Sequence, residues 1–364
     1  MKVSREQVLA YRIGQQGLHR SASSPRELGL LDLGVQDTAN ATARLALAAR
    51  LSRPADTLDG LTLIWSYRGA PHLHHTDDVP GLAQALWPVS EIDALAKMAW
   101  QRSGFHSTGM TAVEAISLVA GVFRDKVTAS TSKGAASAAL TRAIPDGLSY
   151  WCRGCKSTHI LEQLMRLAAL PAGIALRTDQ YPTTLTPIKH WPGIPSQQYG
   201  LGRVISNYLR FLGPGTLKEV ASFLSSTAKE LLPHWPSDLS EVDLDGKKAY
   251  FPADAVPALR EPREPPRVRL LPALDPYLQA RDRERLVPDR AARKQLWRIL
   301  GNPGALLAEG EIAGTWRMKS LKTRLELTVT PFALLPATIE RAVNAEAETI
   351  ATVRGAPEVN VQFA

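Results

Sequence analysis

Apolar residues fall at helical spacing along the first fifty positions and then switch to alternation. Val8, Leu9 and Ile13 lie on one face of a helix that Ser4 can cap and Gly17 can end. Pro25 suits the first turn of a second short helix over 26–33. Ala41, Leu45 and Ala48, with Leu47 and Leu51 beside them, give a third helix its inward stripe. After Pro54 and Gly60 the period drops to two, and LTLIWSYRGAPHLHH reads as a hairpin turning near Arg68 and Gly69.

Three helices followed by a hairpin is the order of a winged helix, and the order returns. Segments 110–129 and 133–144 read as helices, followed by the strand-like SYWCRGC, a helix over 160–170 and the strand IALRT. A third pass starts at Gln197 with the helix QQYGLGRVISNYLRFLG, a turn at Gly213–Gly215, the helix TLKEVASFLSS and a third helix from Thr227. It closes with the hairpin VDLDGKKAYFP, where Asp245–Gly246 is a strong turn signal. Pro257, Pro262, Pro265 and Pro266 form a linker into a terminal α/β module opened by RVRLLPALDPY. The expected fold is α+β and mainly helical, with winged-helix modules at 1–104, 105–195 and 196–258 and the α/β module at 265–364.

Composition narrows the function. Apolar residues make up 45% and charged residues 21% of the 364 positions, and the longest apolar run, 115–123, is far short of a membrane span. The start MKVSREQ enters a charged helical pattern without the apolar core of a secretory signal, so a cytoplasmic protein with no membrane partner is expected. The formal charge is +8, and 11 basic residues face 6 acidic ones between Arg260 and Arg298. Arg317, Lys319, Lys322 and Arg324 follow without an acid. Such a field attracts polyanions, with nucleic acid the first candidate, although a basic balance alone also serves solubility. No phosphate-binding glycine loop, dinucleotide fingerprint, HExxH or G-x-S-x-G motif is present, so no small-molecule cofactor is expected.

The candidate chemistry sits at the join LGVQDT, residues 33–38. This join, together with REQVLAYRIGQQGL, YRGAPHL, YLRFLGPGTLKEVASFL, RLLPALDPYLQARDRERLVPD and GEIAGTWR in that order, resembles the winged-helix DNA-binding family that includes the AlkZ-type DNA glycosylases. The resemblance runs through most of the chain. It implies three tandem winged helices in a C shape with a basic concave face for double-stranded DNA, and hydrolysis of the N-glycosidic bond of alkylated or bulky purine adducts. It also implies an active-site motif at the counterpart of 34–36: a Gln, an apolar residue, then Gln or Asp. Here Gly34 stands first, Val35 is the apolar residue and Gln36 follows. A shifted register makes Gln36, Asp37 and Thr38 the working set instead.

A carboxamide such as Gln36 can hold a water, and a carboxylate such as Asp37 can take its proton or stabilise a sugar cation. A cationic purine is already a good leaving group, so two sugar-hydrolase carboxylates and a metal are not required. Asp37 and Thr38 are equally good helix caps, a role that needs no chemistry. Arg68, Gly69 and His72 are the expected DNA contacts of the first wing, against the plainer reading of a surface charge and a packed ring. Cys152, Cys155 and His159 have a partial zinc spacing, with Glu162 a conceivable fourth ligand; two thiols without metal, or a redox pair, are the other readings. Asp275 and the triplet Arg281–Asp282–Arg283 either face DNA or form ion pairs. Trp65, Trp151 and Trp316 are expected in the core. The leading expectation is a monomeric, monofunctional, metal-independent DNA-repair glycosylase using Gln36 and Asp37. The alternatives are a winged-helix DNA-binding protein without activity and a scaffold meeting an acidic partner.

Overall fold

The computed structural model describes residues 1–38, 41–99, 101–102, 108–177 and 183–364. The boundary expected at 104–105 and the last residue of IALRT, Thr178, lie outside these. The chain divides into two compact units: one of residues 1–59, 206–219 and 237–364, the other of residues 60–205 and 220–236.

In the first unit the N-terminal helix Arg5–Gln15 forms where the pattern places it. Ser4 accepts the Gln7 amide and Gln7 returns a bond to the Ser4 amide, a reciprocal cap, and Val8, Leu9 and Ile13 are 2% exposed or less. Val8 and Tyr11 pack on the hairpin Leu239–Leu244 and Lys247–Pro252, with the Tyr11 ring edge-on to Phe251 at 4.9 Å. Asp245 and Gly246 turn this hairpin at φ 54° and 77°, both in the left-handed region that a two-residue turn of this kind requires. The segment over 26–33 is not one helix but two 3-10 turns, Pro25–Glu27 and Gly29–Asp32. Leu28 between them adopts extended backbone, which interrupts helical hydrogen bonding.

The terminal module is a five-stranded sheet in chain order: Val268–Leu271, Gly304–Ala308, Glu311–Ser320, Leu325–Pro331 and Val359–Phe363. The first four pair antiparallel. The last pairs parallel to its neighbour, which requires a crossover, and helix Ala337–Arg354 supplies it. Ile339, Val343, Ala347 and Ile350 recur on one face of that helix and meet Val268, Leu270, Leu306, Leu327 and Val329 of the sheet. Trp316 is 4% exposed there and donates its indole N–H to the Leu271 carbonyl at 2.8 Å. A Cβ at Gly304 would lie 2.3 Å from that indole nitrogen, so only glycine fits beside it.

Asp275 does not face outward. It is 1% exposed and forms a two-pronged ion pair with Arg50, which is fully buried. Asp282 pairs with the buried Arg12 and with Arg285, leaving only Arg283 of the triplet exposed. A short carboxylate close to a buried guanidinium is drawn inward because leaving either charge alone in the interior would be costly.

In the second unit the strands Leu61–Trp65 and Pro71–His75 form the expected hairpin, with Ile64 opposite His72. Ile174–Leu176 joins the other edge of the first strand, followed by Thr184–Pro187 and Thr131–Ser132. Helix Ala112–Lys126 starts at a Thr111–Glu114 capping box and buries Ala115, Ile116, Val119 and Phe123 against helix Glu162–Ala169. SYWCRGC is a strand only over Ser149–Cys152; the chain turns at Cys152 and returns as Ser157–Ile160. Trp151 is 61% exposed on that hairpin, on a face that the described residues leave largely to solvent, whereas Trp65 is 5% exposed. Among the described residues, no helix is long and apolar enough to cross a membrane.

Candidate active site

Three backbone features shape the join at 33–38. Gly34 sits at φ 91°, a conformation that side-chain-bearing residues rarely adopt, so a glutamine at this position would be strained. Val35 and Gln36 form a two-residue strand whose alternation sends Val35, 0% exposed, into the core and Gln36 the other way. Ala41 starts helix Thr42–Ala48 in the left-handed region, φ 49° and ψ 46°, with no side-chain cap of its own. Asp37, six residues upstream of Ala43, does the capping: Oδ1 accepts the Ala43 amide at 3.0 Å. The Thr42 hydroxyl donates to Thr38 Oγ1 at 3.2 Å and ties the helix start to the join.

The Asp37 carboxyl is 9% exposed. Burial pushes its pKa up, and the Ala43 and Thr38 amides together with Arg354 and Arg44 oppose that rise. In the preceding residue, Gln36 Oε1 is shielded from solvent and has no hydrogen-bond donor among the described residues. A buried carbonyl oxygen left this way loses its water without replacement, at a cost of about 1–3 kcal/mol. It is therefore an acceptor waiting for an O–H or N–H. Thr42 and Leu45, from the helix that Asp37 caps, line a cleft of about 370 Å³ with Trp316, Arg317, Met318 and Arg354. Arg317 also lines a second cleft of about 470 Å³ with Lys294 and Arg298. The basic excess of the terminal module thus gathers in part on one open surface. Arg354 and Thr42 escaped the sequence reading: Arg354 comes from the far end of the chain and carries no motif, and Thr42 reads as an ordinary first-turn residue.

The proposed wing tip is packed within the second unit. Arg68 stands at φ 60°, donates to the Phe223 carbonyl at 3.0 Å and lies 4.7 Å from the Phe223 ring centre. Gly69 is buried, and a Cβ there would meet the Gln163 amide oxygen at 2.9 Å. His72 is 2% exposed and offers no face to a ligand; its Nδ1 lies 2.9 Å from the Ala70 carbonyl and 3.0 Å from Ser66 Oγ. The physical reason is aromatic packing: Tyr67, just before the turn, and Phe223, from a distant helix, cover it.

Burial holds the His72 pKa well below its usual value, aided by Arg68 and His74, so the ring is neutral. The unfolded chain takes up this proton near pH ~6.5 and the folded chain does not. Stability should therefore fall as pH drops through that window toward the lower folded pKa. We expect the thermal midpoint to decrease from about pH 7 to about pH 5, with a shallower slope in His72→Gln. An unaltered slope in the variant would assign the acid sensitivity to other groups.

The fold is that of a DNA glycosylase: Streptomyces sahachiroi DNA glycosylase AlkZ matches over 100% of both chains with a TM-score of 0.75, at 22% identity, a likeness of fold. The profile of the DNA glycosylase AlkZ-like family matches residues 28–353, and the chain belongs to that family. A curated relative from Streptomyces sahachiroi, described as an interstrand DNA cross-link repair glycosylase, is 29% identical over 184 residues. The aligned segment spans 48% of this chain and 48% of that protein.

Proposed function

We propose that the protein is a DNA-repair glycosylase that hydrolyses the N-glycosidic bond of alkylated or adducted purines in duplex DNA. The observation that carries this reading is Gln36 Oε1, buried without a donor among the described residues, next in sequence to a buried, raised-pKa carboxylate. Gln36 accepts a hydrogen from the attacking water. Asp37, once ionised, stabilises the positive charge that develops on deoxyribose as the purine leaves, and receives the water's proton. The purine departs with the bonding electrons, and water oxygen bonds to the sugar carbon. No metal or cofactor is part of this scheme.

The backbone at Gly34 supports the register in which Gln36 is the first motif residue and Thr38 occupies the second position. On that register Asp37 lies between the two motif positions, so its charge is an addition by this chain. Arg317 and Arg354 would contact phosphates beside the join, with Arg68 a further candidate and Gly69 and His72 supporting its turn. The hairpins of strands Leu61–Trp65 with Pro71–His75 and Leu239–Leu244 with Lys247–Pro252, each following helical segments, favour winged-helix modules at 1–104 and 196–258; a further module at 105–195, the module at 265–364 and a monomeric state complete this reading. The relative named for interstrand DNA cross-link repair extends the substrate class toward purines held in such cross-links.

One observation favours a DNA-binding protein without activity: Asp37 already has a structural task as the cap of helix Thr42–Ala48. Incubation with alkylated duplex, followed by chromatography of released bases, separates the two. Free alkylated purine and an abasic strand are expected. Duplex binding that weakens steeply with salt, at enzyme excess and without base release, would establish the non-catalytic reading instead.

A further inference from the structure

The hairpin Ser149–Cys152 and Ser157–Ile160 carries a group of side chains that base release does not use. Its register sets Tyr150 opposite His159 and Cys152 opposite Ser157. Strand alternation therefore places Cys152 and His159 on one face, diagonal to each other. The four-residue connection then brings Cys155 back toward them. The donor atoms of Cys152, Cys155 and His159 all lie within 4.8 Å of one another. In a tetrahedral zinc site with bonds of about 2.3 Å to sulfur, neighbouring donors stand about 3.8 Å apart, so closure needs a contraction of about an ångström or less.

Two further features suit a metal. The amides of Cys155 and Gly154 donate to Cys152 Sγ, an arrangement that stabilises a thiolate in a tight Cys-x-x-Cys turn. Ser157 Oγ lies 3.1 Å from His159 Nε2, a hydrogen-bonding partner that fixes the ring of a ligating histidine. The second strand packs on helix Lys133–Ala143, where the Ile160 amide donates to Thr141 Oγ1, whereas the turn end stands in solvent, and it is there that a staple would add order. Trp151, Arg153, Gly154, Cys155 and Lys156 are exposed, and apolar burial begins only at Ile160.

We propose that Cys152, Cys155 and His159 bind one thiophilic divalent cation, zinc in the first instance, which orders this hairpin. Binding replaces the two thiol protons with two metal–sulfur bonds and releases those protons to solvent. Glu162, the fourth ligand that spacing suggests, is held elsewhere: its Oε1 is 2.6 Å from Lys133 Nζ and 2.7 Å from Arg166 Nη2. The fourth position is therefore left to water, which reaches the exposed hairpin directly.

The test uses the full-length protein without a histidine tag, reduced, stripped with chelator and titrated with cobalt(II) and then zinc. One equivalent of cobalt should give thiolate-to-metal charge-transfer absorption and the visible bands of a tetrahedral ion, and zinc should abolish both. Cys152→Ser and Cys155→Ser should each weaken binding at least about 100-fold, and His159→Ala about 10–100-fold. Unchanged far-ultraviolet dichroism in each variant would establish that the fold survives. The proposal is overturned if the reduced protein shows no thiolate–cobalt band, or if binding persists in both serine variants. Mass spectrometry finding a Cys152–Cys155 disulfide that, once reduced, leaves a protein unable to bind cobalt would make the pair a redox couple instead.

Discussion

Replacing Asp37 by Asn is expected to lower release of alkylated purine by about 10²–10³-fold while leaving the protein folded and bound to duplex DNA. The reasoning turns on what asparagine keeps. Its carboxamide oxygen can still accept the Ala43 amide, the bond that Asp37 Oδ1 makes at 3.0 Å, so the start of helix Thr42–Ala48 stays capped. What disappears is the negative charge. Asp37→Ala removes both and should additionally lose about 1 kcal/mol of stability, the usual loss for a helix cap. The pH profile gives an independent reading. Burial raises the Asp37 pKa, so the ionised base is absent at low pH and the acid limb of wild-type activity should lie above the ~3.9 of an exposed aspartate. The same shift makes ionisation of Asp37 unfavourable to folding: its contribution is most favourable below the unfolded pKa and is lost as pH rises through the folded one. Activity and the Asp37 contribution to stability should thus move in opposite directions across this titration. If Asp37→Asn retains wild-type base release and the same acid limb, Asp37 is a cap and nothing more.

What could be read from the sequence around this site, and what could not, follows from the range of the interactions. The cap at Ser4, the hairpin turn at Asp245–Gly246 and the apolar faces of the first helix are set by residues within a few positions of one another, and they form as the pattern predicts. Gln36 and Asp37 were legible as a polar pair at a helix start. Which of them caps that helix was not, because the start is displaced to the left-handed Ala41 and the bond spans six residues. Arg354 reaches Asp37 only through the crossover helix of the terminal sheet, which no local pattern encodes. Trp151 departs from expectation for the same kind of reason: its strand alternates well, but the described residues leave its ring largely in solvent. Charge patterning was the least informative signal: Asp282 stands between Arg281 and Arg283 in sequence yet pairs with the buried Arg12, and Asp275 pairs with the buried Arg50 from far along the chain.

Asp275→Ala should destabilise the protein by about 3–5 kcal/mol, a large share of the 5–15 kcal/mol that holds a typical domain folded. Both side chains of the Arg50–Asp275 pair are 0% exposed, so the alanine variant leaves a guanidinium in the interior without its counter-charge. The pair is also a junction. Arg50 donates to the Ala46 carbonyl at 2.7 Å and to Gln16 Oε1 at 3.1 Å, Gln16 donates to the Phe211 carbonyl, and Asp275 accepts the Tyr277 amide. Ala46 lies on the helix whose N-terminal end Asp37 holds, so one ion pair secures one end of a seven-residue element and the candidate catalytic carboxylate the other. A helix this short has little stability of its own, and loosening one end should loosen both. Urea unfolding of Asp275→Ala is the direct measurement. The double variant Arg50→Met with Asp275→Leu should recover most of the lost stability, because two apolar side chains of similar volume need no counter-charge. At temperatures where Asp275→Ala is still folded, base release should fall several-fold with duplex affinity kept, since Asp37 would lose the fixed amide that orients it. A loss below about 1 kcal/mol in Asp275→Ala would mean that water reaches Arg50, and the fixed helix would then need another anchor.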